Sequence, residues 1–322
     1  MNTQRSRQYN QSQLRNLGLP LIADIDDLAR HMRLSKGLLH SLTTYPFEHY
    51  RVYNLTKKTG RLRQISQPSR NMKAAQSWIL RKILDKLSAS ANSKGFEKGE
   101  STLSNALPHI GAHVILNIDL EDFFDTVPAN HVYSVFHSIG YSKEVSNILT
   151  RLTTFKEVLP QGAPTSPKLA NLTCQRLDSR IQGYAGPRGI IYTRYADDIT
   201  LSALNENRIR KAKSMIEKII EEEGFKVNQA KTRVCGTRKR KEVTGLVISK
   251  ESVGIGRGKY RELRTIIHNA IIKNEDESSF INGWLGYSRH ADKLAFQKLT
   301  RYLNQLKKKY PDAVIFKNIF LK

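Results

Sequence analysis

The chain has 322 residues, of which 39% are hydrophobic, and 53 Lys and Arg against 29 Asp and Glu give a formal net charge of +24. The hydrophobic content excludes a disordered chain, and a positive excess of this size favours a polyanionic partner, either nucleic acid or a membrane surface. Because the sequence has no long apolar run and no signal peptide, we expect a cytoplasmic, nucleic-acid-binding protein that does not contact a membrane. Its two cysteines, Cys174 and Cys235, are too isolated for a zinc ribbon or a disulfide framework.

Taken in chain order, the predicted elements mix helices with short strands. Apolar spacings of three and four residues predict helices, and apolar runs bounded by turn residues predict strands. The predicted helices are 14–42, 70–87, 128–139, 142–154, 166–182, 206–222, 258–273, 278–289 and 293–309. The predicted hairpins are 50–66 and 190–202, and the other predicted strands are 114–119, 225–228 and 243–248. This order indicates an α+β core around one sheet, followed by a helical C-terminal part.

Two adjacent aspartates, Asp197 and Asp198, lie at the predicted turn of the second hairpin. Adjacent carboxylates repel each other, and a divalent cation removes this repulsion because its preferred ligand is carboxylate oxygen. Asp119 ends a separate apolar strand, and three carboxylates on neighbouring strand ends suit two metal ions about 3.5–4 Å apart, as in phosphoryl transfer. We therefore predict Asp119, Asp197 and Asp198 as catalytic metal ligands, with the carbonyl of Leu120 as a further ligand. The tetrapeptide Tyr-Ala-Asp-Asp alone would fit an exposed hairpin turn equally well.

Two residues outside this triad suit the nucleotide. Phe124 lies five residues after Asp119, where a ring would face the sugar of the bound nucleotide and exclude a 2′-hydroxyl. The alternative places both Phe123 and Phe124 in the core, and we assign only Phe123 there. Lys231 suits the pyrophosphate leaving group as a general acid or charge stabiliser, with an ordinary surface lysine as the equal alternative.

Two loops offer candidate contacts to the triphosphate or the template. The basic turn of the first hairpin provides Lys58, Arg61 and Arg63, although a solvated turn would explain at least one of these side chains. Residues 159–167 contain too many Pro and Gly for regular structure and directly precede a predicted helix. Gln161 and the backbone amides at such a helix start suit a nucleotide or template.

The order of these motifs resembles that of reverse transcriptases, whose signature is the aspartate doublet within Tyr-x-Asp-Asp. Two further elements resemble those of bacterial retron reverse transcriptases. Asn105-Ala106-Leu107-Pro108-His109 matches their Asn-Ala-x-x-His element, and Val243-Thr244-Gly245 matches their Val-Thr-Gly element. Each is weak alone, but together with the polymerase motifs they make the resemblance specific over about residues 14–310.

The resemblance implies a right-hand polymerase fold with fingers, a palm built on an antiparallel sheet, and a helical thumb. The expected bounds are 1–110 for N-terminal helices and fingers, 111–125 and 157–249 for the palm, 126–156 for helices between fingers and palm, and 250–322 for the thumb. The thumb is expected to grip an RNA stem-loop. The RNA-binding residues that we predict are Asn105, His109, Val243, Thr244, Gly245, Arg257, Lys259 and Arg261.

The resemblance also implies an activity, namely DNA synthesis from dNTPs with two Mg²⁺ ions on a structured noncoding RNA encoded beside the enzyme. In this family the 2′-hydroxyl of an internal guanosine primes synthesis, so that the product, multicopy single-stranded DNA, is a branched RNA–DNA molecule. The enzyme and its hybrid restrain a separate effector protein in antiphage defence.

Two other interpretations remain open at this point. One is a different cellular reverse transcriptase, of the intron-encoded or diversity-generating type, although an intron type usually carries an extension for which we expect no room. The other is a non-catalytic RNA-binding scaffold, against which the three intact carboxylates argue. We also expect no RNase H domain after the polymerase core, so that RNA removal would fall to a host enzyme.

Overall fold

The computed structural model describes residues 10–56, 60 and 62–319. The helices are α1 Gln11–Asn16, α2 Ile25–Met32, α3 Lys36–Thr44, α4 Arg70–Lys82, α5 Thr102–Ala106, α6 Ala129–Ser138, α7 Lys143–Thr153, α8 Ser166–Thr173, α9 Gln175–Ala185, α10 Glu206–Glu222, α11 Gly256–Lys273, α12 Ser278–Ala291 and α13 Lys293–Lys309. The strands are β1 Tyr50–Thr56, β2 Leu62–Pro68, β3 Val114–Asp119, β4 Ile191–Tyr195, β5 Asp198–Ala203, β6 Arg233–Cys235, β7 Lys241–Val243, β8 Leu246–Ile248 and β9 Val253–Gly254.

These strands form three antiparallel sheets. The central sheet has the order β4-β5-β3-β6, the hairpin β1-β2 stands apart, and β7-β8-β9 form a small third sheet. Helices and antiparallel strands therefore mix along the chain, which confirms the predicted α+β class. Within the described ranges, no helix is both long and apolar enough to cross a membrane.

Strand β3 joins the two hydrophobic cores of the molecule. Side chains alternate between the faces of a strand. Leu116 and Ile118 accordingly pack into the larger core, together with helices α1 to α4 and α6 to α10. Ile115 packs instead into a second core, built mainly from α11, α12, α13 and the third sheet. Asp119, at the end of β3, lies on the same face of the strand as Ile115. The strand thus carries a contact with the C-terminal helices at one end and the carboxylate at the other.

Besides the helix expected over 14–42, which is divided into α1, α2 and α3, three predicted elements are wrong in detail. The helix expected over 166–182 is interrupted at Cys174, whose ψ of 1° ends α8 before α9 begins. The strand expected over 225–228 is reduced to one bridge, between Val227 and Leu120.

The third correction concerns residues 243–248, which fold as a hairpin rather than as one strand. Thr244 and Gly245 both have positive φ, 46° and 81°, which is the backbone of a tight two-residue turn. Glycine adopts this conformation readily, whereas a β-branched residue such as threonine rarely does. The sequence signal for the turn was therefore weak.

Candidate active site

The two predicted metal-binding strands end side by side. Strands β3 and β5 pair in a register that places Asp119 directly opposite Asp198. Asp197 lies in the tight turn between β4 and β5, and its carbonyl accepts a hydrogen bond of 3.0 Å from the backbone N–H of Leu120. The residues 195–198, here called the aspartate turn, are thus tied to the end of β3, and Asp119, Asp197 and Asp198 lie at these adjacent strand ends.

The aspartate turn contains an unfavourable backbone conformation. Ala196 has a φ of +57°, in the left-handed region where residues other than glycine are uncommon. Such conformations cost about 1–3 kcal/mol and persist where the surrounding structure determines them. The contacts that hold Ala196 are therefore part of the site.

The carboxylates carry more negative charge than their surroundings neutralise. Partial desolvation and the charges of Asp197 and Asp119 raise the pKa of Asp198 to about 6, although its side chain stays open to solvent. Desolvation and Asp119 also raise the pKa of Asp197, against the opposing effects of Lys231 and Arg63. Lys231 Nζ lies 2.8 Å from both carboxylate oxygens of Asp119. The site therefore already attracts one cation.

The donor set fits divalent ions that also bind a substrate. Within the described residues, no three His, Cys, Asp or Glu side chains lie close enough to form a complete metal site by themselves. Mg²⁺ seldom requires such a cage, because it commonly binds one or two carboxylates and completes its shell with substrate phosphates and water. The facing Asp119 and Asp198, with Asp197 in the turn, meet this requirement.

A fully buried arginine supports the aspartate turn from behind, and the sequence analysis missed it. Arg194 on β4 is 0% exposed and donates two hydrogen bonds, of 2.8 and 2.7 Å, to the carboxylate of Asp178 on α9. Its remaining terminal nitrogen donates to the carbonyl of Ala196, at 3.1 Å, and to Asn171 Oδ1 on α8, at 3.0 Å. The available signal was a charged residue within an apolar strand, which must be paired when it is buried.

Of the predicted nucleotide-binding residues, Lys231 and Arg63 interact with the carboxylates at these strand ends. Phe123 is buried in the larger core, whereas Phe124 is half-buried and packs against that core, with 5.5 Å between the two ring centroids. The role of Phe124 as a sugar gate stays a prediction. Arg63 is exposed on β2 and close enough to lower the pKa of Asp197. The carbonyl of Gln161 accepts a hydrogen bond of 2.8 Å from Ser66 on β2, which connects this loop to the first hairpin.

Lys58 and Arg61, which were predicted to bind the triphosphate, lie outside the described residues.

The Asn-Ala-x-x-His and Val-Thr-Gly elements contact each other in the interior. His109 is fully buried, with Nδ1 2.7 Å from Ser202 Oγ and Nε2 2.8 Å from Thr193 Oγ1, so it connects β5 and β4. Asn105 is also fully buried, and its Nδ2 donates to Thr244 Oγ1 at 3.4 Å. We call residues 101–109 together with 243–245 the buried junction.

The buried junction also holds the C-terminal helices. Thr244 Oγ1 donates to the carbonyl of Thr102, and Thr102 Oγ1 lies 3.1 Å from the phenol oxygen of Tyr287 on α12. Val243 is buried in the second core. The interior positions of Asn105, His109 and Val243 do not support the direct RNA contacts that we predicted for these side chains. Their described partners are instead the central sheet, the third sheet and α12.

The cations predicted on α11 are at or near the surface. Arg257 and Arg261 are exposed, which suits contact with phosphate. Lys259 is half-buried, with Nζ 4.4 Å from the ring centroid of Trp284 and 2.7 Å from Glu262 Oε1. RNA contact at this surface stays a prediction.

Comparisons with known proteins show the family of the chain. A family profile described as reverse transcriptase (RNA-dependent DNA polymerase) matches residues 55–248. The chain is 50% identical over 309 residues to the Retron Ec86 reverse transcriptase of Escherichia coli. This alignment covers 95% of this chain and 97% of that protein. It is 32% identical over 316 residues to the Retron Mx65 reverse transcriptase of Myxococcus xanthus, and that alignment covers 91% of this chain and 74% of that protein.

Among solved structures, telomerase from Candida albicans in complex with a TWJ fragment of telomeric RNA has a similar fold. The TM-score is 0.51 at 14% sequence identity, and the match covers 82% of this chain and 56% of the telomerase chain. At this identity the likeness supports the polymerase fold alone.

Proposed function

Because the chain belongs to the reverse transcriptase family, among the retron reverse transcriptases, and is an RNA-directed DNA polymerase, we propose that it copies a structured noncoding RNA encoded beside it. The product is multicopy single-stranded DNA, joined to the RNA through the 2′-hydroxyl of an internal guanosine. The observation that carries this proposal is the meeting of Asp119, Asp197 and Asp198 at adjacent strand ends. The 50% identity with a retron enzyme supports the choice of template.

In the proposed reaction, a primer hydroxyl attacks the α-phosphorus of a dNTP, an O–P bond forms, and pyrophosphate leaves as the hydroxyl proton is lost. Asp119 and Asp197 would hold two Mg²⁺ ions, with Asp198 and the Leu120 carbonyl as further ligands. Bound Mg²⁺ supplies charge stabilisation at the attacking and leaving oxygens. Lys231, held by Asp119, adds positive charge where the pyrophosphate forms.

The wider setting follows from the same proposal. We assign residues 250–322 to a thumb that grips an RNA stem-loop, residues 111–125 and 157–249 to the palm, and the hairpin β1-β2 to the fingers. The net charge of +24 suits a large RNA partner. In a bacterial cytoplasm, the enzyme with its RNA–DNA hybrid would restrain a separate effector protein as part of an antiphage defence system.

The test is to purify the protein from a bacterium that carries the surrounding locus and to sequence the nucleic acid that accompanies it. We expect single-stranded DNA linked to RNA, from which a 2′–5′ debranching enzyme releases the RNA, so that the linked molecule becomes smaller while the DNA keeps its length. An Asp197→Asn variant should co-purify with RNA only. Linear DNA that debranching does not change would contradict priming from a 2′-hydroxyl while leaving polymerase activity intact.

A second experiment addresses the choice of RNA. Residues 237–322 would be exchanged with the same segment of a related enzyme that uses a different RNA. Activity on an annealed primer and template should survive, while synthesis on the native RNA should fall and shift toward the RNA of the donor. If the chimera kept its original preference, RNA selection would lie in the fingers or elsewhere in the palm.

A further inference from the structure

A second aromatic residue stands beside the predicted sugar gate. The ring centroid of Phe96 lies 6.2 Å from that of Phe124 and 6.5 Å from that of Tyr195, the first residue of the aspartate turn. Both distances are within the range of aromatic contact. Phe96 is 46% exposed, so about half of its surface is open to solvent.

The backbone of Phe96 is in a conformation that a bulky residue rarely adopts. Its φ is +61°, in the left-handed region. Phenylalanine gains no local hydrogen bond there, unlike asparagine or aspartate. An exposed aromatic residue in such a conformation is retained at a cost of about 1–3 kcal/mol, and such costs concentrate at ligand-binding sites.

The neighbouring residues explain how this conformation is held. Lys94 N–H donates to the carbonyl of Arg194 at 2.7 Å, on the strand that leads to the aspartate turn. Asn171 Nδ2 donates to the carbonyl of Gly95 at 2.7 Å and to Glu97 Oε1 at 2.9 Å. The residues before and after Phe96 are therefore both fixed to buried groups, and the ring between them is directed outward.

The loop also lies directly against the backbone of the aspartate turn. A Cβ atom placed on Gly95 would lie 2.7 Å from the nitrogen of Ala196, which is closer than real Cβ atoms come. Glycine at this position thus permits two backbones to touch. Through Arg194 and Asn171, the loop and the turn form one unit, so Phe96 has a fixed place relative to the carboxylates.

From these contacts we propose that Phe96 is a further specificity-determining residue, whose ring closes the side of the sugar gate. Phe124 faces the sugar of the incoming nucleotide, and Phe96 forms the adjoining wall with Tyr195. With Phe96 present, neither the gate ring nor the sugar has room to shift and admit a 2′-hydroxyl. This inference rests on the proposed role of Phe124 as the gate.

The test measures kcat/KM for dCTP and for CTP in primer extension on an annealed RNA template and DNA primer. Phe96→Ala should lower the ratio of kcat/KM for dCTP to kcat/KM for CTP by roughly three- to tenfold, as expected for the loss of one aromatic contact. Phe96→Gly should lower the ratio equally and fold at least as well, because glycine accepts the positive φ. Phe96→Tyr should keep the ratio, since the ring remains.

Structural damage alone would lower both rates and leave their ratio unchanged. Phe280→Ala on α12, where Phe280 is 41% exposed, serves as the matched control and should not change the ratio. An unchanged ratio in active Phe96→Ala and Phe96→Gly enzymes would overturn the inference. If Phe124→Val lowers the ratio in the same assay, only the role of Phe96 is then lost; if it does not, the gate itself is misplaced.

Discussion

The aspartate turn and the buried junction both carry short polar motifs, yet the structure uses their polar groups in opposite ways. At the turn, partial desolvation and the neighbouring carboxylates raise the pKa values of Asp197 and Asp198. An outside cation would therefore stabilise their ionised forms. At the junction, both ring nitrogens of His109 have partners inside the protein, and burial lowers its pKa to about 4.

This contrast separates a ligand site from a structural contact. Groups that are kept for a charged ligand remain electrostatically unsatisfied in the protein alone, because the ligand supplies the missing charge. Groups that hold elements together are mostly paired already and gain little from a ligand. Among the described side chains of the junction, Asn105 Oδ1 is the exception, since it is buried without a hydrogen-bond partner. Since both kinds of motif can be short and polar, the partners of each group decide which kind it is.

The largest expected effect is at the aspartate turn itself. Asp197→Asn should reduce DNA synthesis by about 10³-fold or more, because a neutral amide replaces a metal-binding carboxylate. Folding and RNA binding should stay near those of the wild type. Primer extension in Mg²⁺ measures the loss, and Asp26→Asn on the exposed face of α2 is the control. A variant with near-normal extension would show that this turn is not the metal site.

A smaller effect is expected one layer behind the turn. Arg194→Lys should lower kcat by roughly 10- to 100-fold with little change in KM, because lysine does not reproduce the planar fork that pairs with Asp178 and also reaches Ala196. It should also destabilise the fold by about 3 kcal/mol, the usual cost of breaking a buried pair.

The double variant Arg194→Met, Asp178→Leu separates these two roles. Apolar residues of similar size often replace a buried ion pair without loss of stability. We expect this variant to recover part of the stability that Arg194→Lys loses, because no buried charge is left unpaired, although the Tyr192 hydroxyl loses its acceptor Asp178. It should nevertheless remain slow, since the carbonyl of Ala196 has lost its donor. Recovery of full activity together with stability would mean that Arg194 serves folding only.

Much of the catalytic edge was predictable from the sequence, because local signals coincide there. An apolar strand ending in Asp119 and a hairpin with Asp197 and Asp198 at its turn are patterns of adjacent residues, and the fold places them together. Arg194 was missed because its partners, Asp178 and Asn171, are distant in sequence. Nothing local marks which buried charge meets which partner.

The two motifs of the buried junction were recognised in the sequence, but the burial of Asn105, His109 and Val243 was not expected. The motifs that include His109 and Thr244 were found, but their contact with each other depends on the packing of α5 against the third sheet. A short polar motif gives no sign of its burial. The turn at Thr244 and Gly245 was likewise hidden, because threonine is not a usual residue at positive φ.

A pH-dependent prediction concerns His109. Because burial lowers its pKa to about 4 from the ordinary 6.5, the unfolded chain binds a proton between these pH values that the folded chain does not. Stability therefore falls as the pH falls through this window, by about 2 kcal/mol between pH 7.5 and pH 5. His109→Gln keeps a donor and an acceptor but lacks this titration. Denaturant unfolding at both pH values should show a smaller drop in stability for the variant.

Equal losses of stability in the two proteins would mean that His109 does not control this pH dependence. The comparison between wild type and variant is needed because carboxylates elsewhere also titrate in this range. Their contribution is common to both proteins and cancels.

The smallest expected effect is at the outer end of the junction. Tyr287→Phe removes only the phenol oxygen that lies 3.1 Å from Thr102 Oγ1, a contact worth about 1 kcal/mol. If the junction orients the proposed thumb, extension of a generic primer and template should stay within about twofold of the wild type, while synthesis on the native RNA should fall by roughly two- to fivefold. Tyr302→Phe on α13 is the matched control, since its described ring contact is with Arg264 and does not need the hydroxyl. An equal loss of DNA synthesis on both templates would instead mean that the junction affects catalysis at the aspartate turn and not only the choice of RNA.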